Sequence, residues 1–266
     1  MDASANAPLQ KSIRIVLGAY SLTEGAVFFF IARMFSFPLK FFFVFLGVQT
    51  AFHLGIFFFL THNAPLFYNT KTKKRFSRIN MANKVTLLRL TMLPFLLFLI
   101  LAFQHYPVGF ILLPVIGLTF FTDLIDGRLS RAKNEETPIG KILDSVSDYL
   151  LLGGIGIVYW IFRLLPPWLF AVLLARLFIQ SLLMMILFLI QKRPEPQSTF
   201  FGKITVAAAM ILFVAEPAAI VLAFLPPYIR NLEIILGALI GISLVDKGIF
   251  FIAALKKRKP PEKNRG

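Results

Sequence analysis

Asp123, Asp126, Asp144 and Asp148 stand in the run FFTDLIDGRLSRAKNEETPIGKILDSVSDYLLL, with apolar sequence on both sides. The chain has only 13 acidic residues. A carboxylate near a bilayer core costs ~2.5–3.5 kcal/mol on insertion scales, so acids kept there point to function. On helices, the steps from Asp123 to Asp126 and from Asp144 to Asp148 put each pair on one face. Two antiparallel helices joined by a turn flanked by Gly127 and Gly140 would aim all four carboxylates into one cleft. Carboxylates at such close quarters stay ionised only when cations neutralise them. Oxygen-only donors select Mg²⁺, Mn²⁺ or Ca²⁺ over zinc, and two divalent ions suit the charge.

Two metals in a carboxylate cleft beside Arg128 and Arg131 suit displacement at phosphorus. One ion polarises the phosphate and steadies the leaving group, and the other positions the attacking oxygen. A carboxylate not fully committed to metal takes the proton of an attacking hydroxyl. Gly127 allows backbone to approach a phosphate or ribose, and Arg131 offers a planar fork to a diphosphate. Helix-end ion pairs with Arg128 or Arg131 would account for one or two of the acids. They would not account for two same-face pairs.

The elements that must position these residues are membrane helices. The 266 residues are 58% hydrophobic, with a mean hydropathy of +0.77. The apolar residues come in stretches near the length that crosses ~30 Å of hydrocarbon. Spans are predicted at about 13–33, 39–61, 83–103, 107–127, 140–162, 167–191, 203–225 and 231–254, separated by Pro-rich or polar breaks. The first is read as a retained helix, since no small-residue cleavage site follows it. Basic residues fill alternate loops: Lys71 to Arg78, Arg128 to Lys141, Lys192 to Lys203, and the tail from Lys256. With an even helix count, these loops and both termini share the cytoplasmic side.

The net charge of +15 thus reads as orientation and binding of anionic headgroups, and nucleic acid is not an expected partner. Cysteine is absent, which excludes disulfides and thiolate metal sites. His53, His62 and His105 share no ligand spacing and read as packed or interfacial. The 31 phenylalanines read as lipid-facing surface. Residues 67–78 read either as a short surface helix, with Leu66, Phe67, Tyr68 and Phe76 inserted, or as a plain basic loop.

The spacing of the acidic run resembles the signature of the CDP-alcohol phosphatidyltransferase family, D-x2-D-G-x2-A-R-x8-G-x3-D-x3-D. Asp123, Asp126, Gly127, Arg131, Gly140, Asp144 and Asp148 agree, and Ser130 replaces Ala. Upstream, Asn80, Asn83, Thr86 and Arg89 are similar to the family's N-x-x-N-x-x-T-x-x-R entry to its first core helix. Gly202-Lys203-Ile204-Thr205 is similar to the G-K stretch that opens its fifth. The resemblance implies an all-α polytopic membrane bundle with a six-helix core over 80–254; the two predicted helices and basic linker of 1–79 lie outside that core as an extension, and the basic tail (255–266), with almost nothing to bury, is expected to be disordered. The resemblance also implies transfer of a phosphatidyl group from CDP-diacylglycerol to an alcohol, with CMP leaving. Asp123, Asp126, Asp144 and Asp148 would hold two Mg²⁺ or Mn²⁺ ions, with Asp148 also the base. Asn83, Thr86, Asp123, Gly127, Ser130, Arg131 and Gly140 would hold the CDP group. A homodimer in a bacterial inner membrane, with its site at the cytoplasmic face, is implied as well.

Arg176, Lys192, Arg193 and Lys203 are the candidate acceptor-binding residues. Their charge favours an acceptor with its own phosphate, glycerol 3-phosphate first and inositol phosphate second, with inositol and serine open. The family's glycerophosphate enzymes usually show R-E here and a second arginine eight residues on; this chain has Arg176-Leu177 and Met184. The competing class is a divalent-cation transporter with the acids as its ion site. It would want them at the midplane on broken helices, whereas they stand beside Arg128, Arg131 and Lys133.

Overall fold

A computed structural model describes the backbone of residues 3–132, 135–191, 200–222 and 226–256. Within these, the side chains of 3–6, 123–124, 126–132, 184, 187–191, 226 and 253–256 lie outside the description. Among the described residues eight α-helices follow one another: α1 (Ala3–Met34), α2 (Leu39–His62), α3 (Met81–Phe103), α4 (Gly109–Ala132), α5 (Pro138–Ile161), α6 (Pro167–Gln191), α7 (Phe200–Val221) and α8 (Pro226–Lys256). Among the described residues α1, α2, α3, α5, α7 and α8 are long and apolar enough to cross a membrane, and α4 and α6 carry shorter apolar stretches. The chain is an all-α polytopic membrane protein, with the eight helices expected. The largest boundary differences lie at the ends. α1 starts at Ala3 rather than near 13, and α8 starts at Pro226, because proline is tolerated in a first turn.

The helices fall into two compact units, Met1–Phe162 and Arg163–Gly266. In the second, the Thr205 hydroxyl of α7 reaches the Leu239 carbonyl of α8 at 3.2 Å, and Trp168 of α6 lies against Gly237 of α8. The first unit contains the aspartate helices α4 and α5, with α3 packed against both. Contacts between α3 and α5 climb in step: Asn83 with Thr137, Arg89 with Asp144, Leu93 with Gly154. The two helices therefore run in the same direction, as every second helix of an up-and-down chain must.

The N-terminal hairpin of α1 and α2 is built into this unit. The Tyr20 hydroxyl donates to the Lys84 carbonyl of α3 at 3.1 Å, and the Ile79 amide donates to the Ser12 hydroxyl at 3.2 Å. Between α1 and α2, the buried Gln49 amide donates to the Ser21 carbonyl at 3.1 Å and to a Glu24 carboxyl oxygen at 3.0 Å. His53 Nε2 lies 3.5 Å from the same oxygen, and His53 Nδ1 donates to the Gln49 carbonyl at 2.9 Å. His53 is thus a packed histidine, as expected.

Two sequence expectations are corrected or settled here. Phe29, Phe30, Phe43 and Phe58 are exposed on helix faces as lipid-facing residues should be, but Phe28, Phe45, Phe95 and Phe98 are buried. Phe28 stacks on Phe45 at 3.9 Å and meets Phe95 edge-on at 5.7 Å, so the aromatics clamp the hairpin to α3. Residues 67–78 form a loop. The Asn69 side chain accepts from the Lys71 and Thr72 amides, each at 2.9 Å, and Phe76 N donates to the Phe67 carbonyl at 2.9 Å. Phe67 is buried inside, where the surface-helix reading had it inserted in lipid.

Gln49→Leu keeps the volume but removes the donor that ties α2 to Glu24 and Ser21. Interhelical hydrogen bonds in membranes are worth about 0.6–2 kcal/mol. The thermal midpoint of the purified protein in detergent is expected to fall by a few degrees, and an unchanged midpoint would show that the polar cluster is not stabilising.

Candidate active site

Two capped helix starts, those of α3 and α5, precede the acidic face. Asn80 caps α3 by accepting from the Asn83 amide at 3.0 Å. Thr137, followed by Pro138, caps α5 by accepting from the Gly140 amide at 3.0 Å. These side chains satisfy amides that a helix start leaves without partners. The caps are tied together: Asn83 Nδ2 donates to the Thr137 hydroxyl at 3.0 Å, and Asn80 Nδ2 donates to the Glu135 carbonyl at 2.7 Å. The loop before α3 adds a bond from the Thr70 amide to the Glu136 carbonyl at 2.9 Å. The connector leading into α5 is thus held from outside at two successive carbonyls.

Gly140 sits where these caps meet. A Cβ there would stand 2.5 Å from Asn83 Oδ1 and 2.9 Å from the Thr137 hydroxyl. The Gly140 expected for CDP binding therefore also lies in a tight contact, because a side chain there would have to displace Asn83 of α3 or Thr137. Asn83 is buried and engaged with Thr137. Thr86 is buried, and its hydroxyl donates to the Ala82 carbonyl at 3.2 Å.

One and two turns further along α5, Asp144 and Asp148 share a face, as their spacing predicts. Arg89 of α3 lies against that face with none of its side chain exposed, while Asp144 is 51% and Asp148 24% exposed. Arg89 Nη2 donates to Asp144 Oδ1 at 2.6 Å and lies 3.5 Å from Asp148 Oδ1. Its Nε donates to the Ser147 hydroxyl at 2.6 Å. From sequence, Arg89 and Asn80 had a place in a motif but no role at the site, and Ser147 and Thr137 were not singled out. The signal that could have found Arg89 is a single arginine within TLLRLTML, an apolar run where an ionised side chain needs a partner.

Asp123, Asp126, Gly127, Ser130 and Arg131 lie on the α4 backbone, but their side chains are outside the described residues, as are Lys192 and Arg193. Among the described residues no group of three or more acidic or histidine side chains is gathered for a metal. Of the expected acceptor-binding residues, Arg176 is buried and its Nη2 donates to the Gly202 carbonyl at 3.1 Å, and Lys203 is exposed on α7.

The family description CDP-alcohol phosphatidyltransferase matches residues 79–244. The chain belongs to this family. The match begins one residue before Asn80 and takes in α3 to α7 and most of α8, and the N-terminal hairpin lies before it. The chain is 32% identical over 146 residues to a Streptomyces coelicolor protein named cardiolipin synthase (CMP-forming), covering 52% of this chain and 64% of the relative. It is 34% identical over 110 residues to a Bacillus subtilis CDP-diacylglycerol–glycerol-3-phosphate 3-phosphatidyltransferase, covering 37% and 57%. It is 28% identical over 172 residues to an Aquifex aeolicus protein of the same name, covering 63% and 93%. The chain thus spans less than two thirds of the first two relatives' lengths.

Family members generally depend on divalent metal. The described carboxylates fit such an ion. Asp144 and Asp148 offer only oxygen, share a helix face and remain partly open, and one guanidinium does not neutralise two carboxylates.

Gly140→Ala should force the α3–α5 junction apart and destabilise the protein by about 1–3 kcal/mol, the usual effect of overpacking. Adding Asn83→Ala removes the nearer of the two atoms that the new methyl would strike, at the cost of the Asn83–Thr137 bond. Gly140→Ala is therefore expected to cost less stability in the Asn83→Ala background than in the parent, and an equal cost would refute the clash. Gly47→Ala, with nothing within 4 Å of its Cβ, is the control and should melt like the parent.

Proposed function

We propose that the protein transfers the phosphatidyl group of CDP-diacylglycerol to a hydroxyl of a small phosphate-bearing alcohol, glycerol 3-phosphate first, releasing CMP. The observation that carries this reading is the Asp144–Asp148 face of α5, spaced as in the family signature and held by a buried Arg89. When bound by Asp123, Asp126, Asp144 and Asp148, two Mg²⁺ or Mn²⁺ ions supply Lewis acidity at the diphosphate.

The chain's own residues do the rest. Gly127, Ser130 and Arg131 receive the CDP group, with Asn83, Thr86 and Gly140 shaping the cleft on the α3 and α5 side. Asp148 accepts the proton of the acceptor hydroxyl as its oxygen bonds to the lipid-side phosphorus. The bond from that phosphorus to CMP breaks, and CMP departs with the electron pair. Asp148 is less exposed than Asp144, which suits the group that handles a proton. Lys203, Lys192, Arg193 and Arg176 supply the positive charge that favours an acceptor phosphate. The names of the Bacillus and Aquifex relatives support glycerol 3-phosphate.

The site faces the cytoplasm of a bacterial cell membrane. The exposed Lys71, Lys73, Lys74, Arg75 and Arg78 of the loop before α3 support that orientation. The working unit is a homodimer, as the family resemblance implies.

Purified protein given CDP-diacylglycerol, Mg²⁺ or Mn²⁺ and a panel of acceptors should release CMP with glycerol 3-phosphate. The panel includes inositol phosphate, inositol and serine. Asp148→Asn should cut turnover about 10²–10⁴-fold, the usual worth of a general base, while CDP-lipid binding survives. Absence of CMP with every acceptor in folded, metal-loaded protein would refute the transfer reaction. Equal loss of binding and turnover would make Asp148 a ligand and not the base.

A further inference from the structure

Among the described residues, Arg89 is one of the two largest with essentially no exposed surface. It does not neutralise the acidic face diffusely. Two different nitrogens make two short bonds to α5, Nε to the Ser147 hydroxyl and Nη2 to Asp144 Oδ1, both at 2.6 Å. Two bonds from separate atoms fix both the position and the plane of a guanidinium. The fixed fork then stands 3.5 Å from Asp148 Oδ1, so one rigid group borders both carboxylates. Ser147 holds a position that the family signature leaves open, between the last two aspartates.

We infer that Arg89, anchored by Ser147, is a positioning residue that sets the rotamers of Asp144 and Asp148 for divalent cation. The inference rests on the metal-holding role proposed above for those two aspartates. An aspartate 51% exposed on a helix would otherwise swing among its rotamers, and ligand atoms must be placed before an ion with strict geometry binds well. Partners that orient ligating side chains typically contribute 10–100-fold in metal affinity. Lysine does not replace this arginine. It carries the charge but is a single point, and it cannot hold Ser147 and Asp144 in one plane while bordering Asp148.

The test uses the full-length protein in detergent and Mn²⁺ alone, with free Mn²⁺ followed by electron paramagnetic resonance. Arg89→Lys and Ser147→Ala are each expected to weaken Mn²⁺ binding by about 10-fold or more. Ser147→Ala removes one oxygen and keeps every charge, so it decides the matter if Arg89→Lys does not fold. In the CMP-release assay both variants should need correspondingly more Mn²⁺ and recover most of their maximal rate when it is supplied. A merely structural role would not be rescued by metal. Parental Mn²⁺ affinity in folded Ser147→Ala, or no Mn²⁺ binding by the parent, would overturn the inference. A parent that binds Mn²⁺ and loses it in the variants, yet releases no CMP with any acceptor, would uphold Arg89 and sink the transferase reading instead.

Discussion

A guanidinium with no exposed surface in a membrane helix bundle is tolerated only if its charge is met and its donors are bonded. Arg89 meets both conditions on one face of α5, and this contact constrains most of the first unit. It fixes the axial register of α3 against α5, because a shift of one residue would carry Ser147 and Asp144 out of reach. The Asn83–Thr137 link below it and the Leu93–Gly154 contact above it repeat the same register. A polar contact surrounded by apolar ones specifies position more sharply than the apolar ones do, since leucines can slide past one another at small cost and an unmatched charge cannot.

The division of labour between the sequence and the fold follows from the range of each interaction. The spans, their order and the shared face of Asp144 and Asp148 were legible because they depend on local chemistry and on helical period. Asp144 and Asp148 needed only a spacing of four. The capping roles of Asn80 and Thr137 are local as well, but the sequence reading gave Asn80 only a motif position and overlooked Thr137. Arg89 was visible as an oddity in TLLRLTML, yet its partner lies 55 residues on, and nothing local distinguishes Asp144 from any other acid as that partner. Gly140 shows the same limit from the other side. Its place in a signature suggested a ligand contact, whereas the contact with Asn83 depends on a neighbouring helix that local pattern does not supply.

Some of the phenylalanines depart from the lipid-facing reading for a related reason. In a membrane protein both the bilayer and the interior are apolar, so composition does not separate a lipid-facing ring from a buried one. Phe28 and Phe29 are neighbours of the same type, one buried and one exposed, and only the partner helix decides which. The hydrophobic effect that sorts residues in water is nearly silent here. Close packing, aromatic geometry and interhelical hydrogen bonds take over, and each of these depends on pairs distant in sequence.

The N-terminal hairpin can be judged on the same footing. It lies before the family-matched residues, yet Leu9, Ile13 and Leu17 of α1 and Ile56 and Leu60 of α2 share one buried core with Leu87 and Leu90 of α3 and Ile139 and Leu143 of α5. Ile139, Leu143 and Ser147 are buried at successive four-residue steps, whereas Asp144 and Asp148, each one residue further on, border the open side. The helix that presents the carboxylates is therefore gripped from behind by a core to which the hairpin contributes. Arg89 extends that grip at Ser147 and at the neighbouring Asp144. A helix held along one stripe by unlike contacts, apolar and charged, has little freedom to roll. Rolling by even part of a turn would separate the carboxylates from the guanidinium that orients them, so the hairpin bears on the chemistry without touching it.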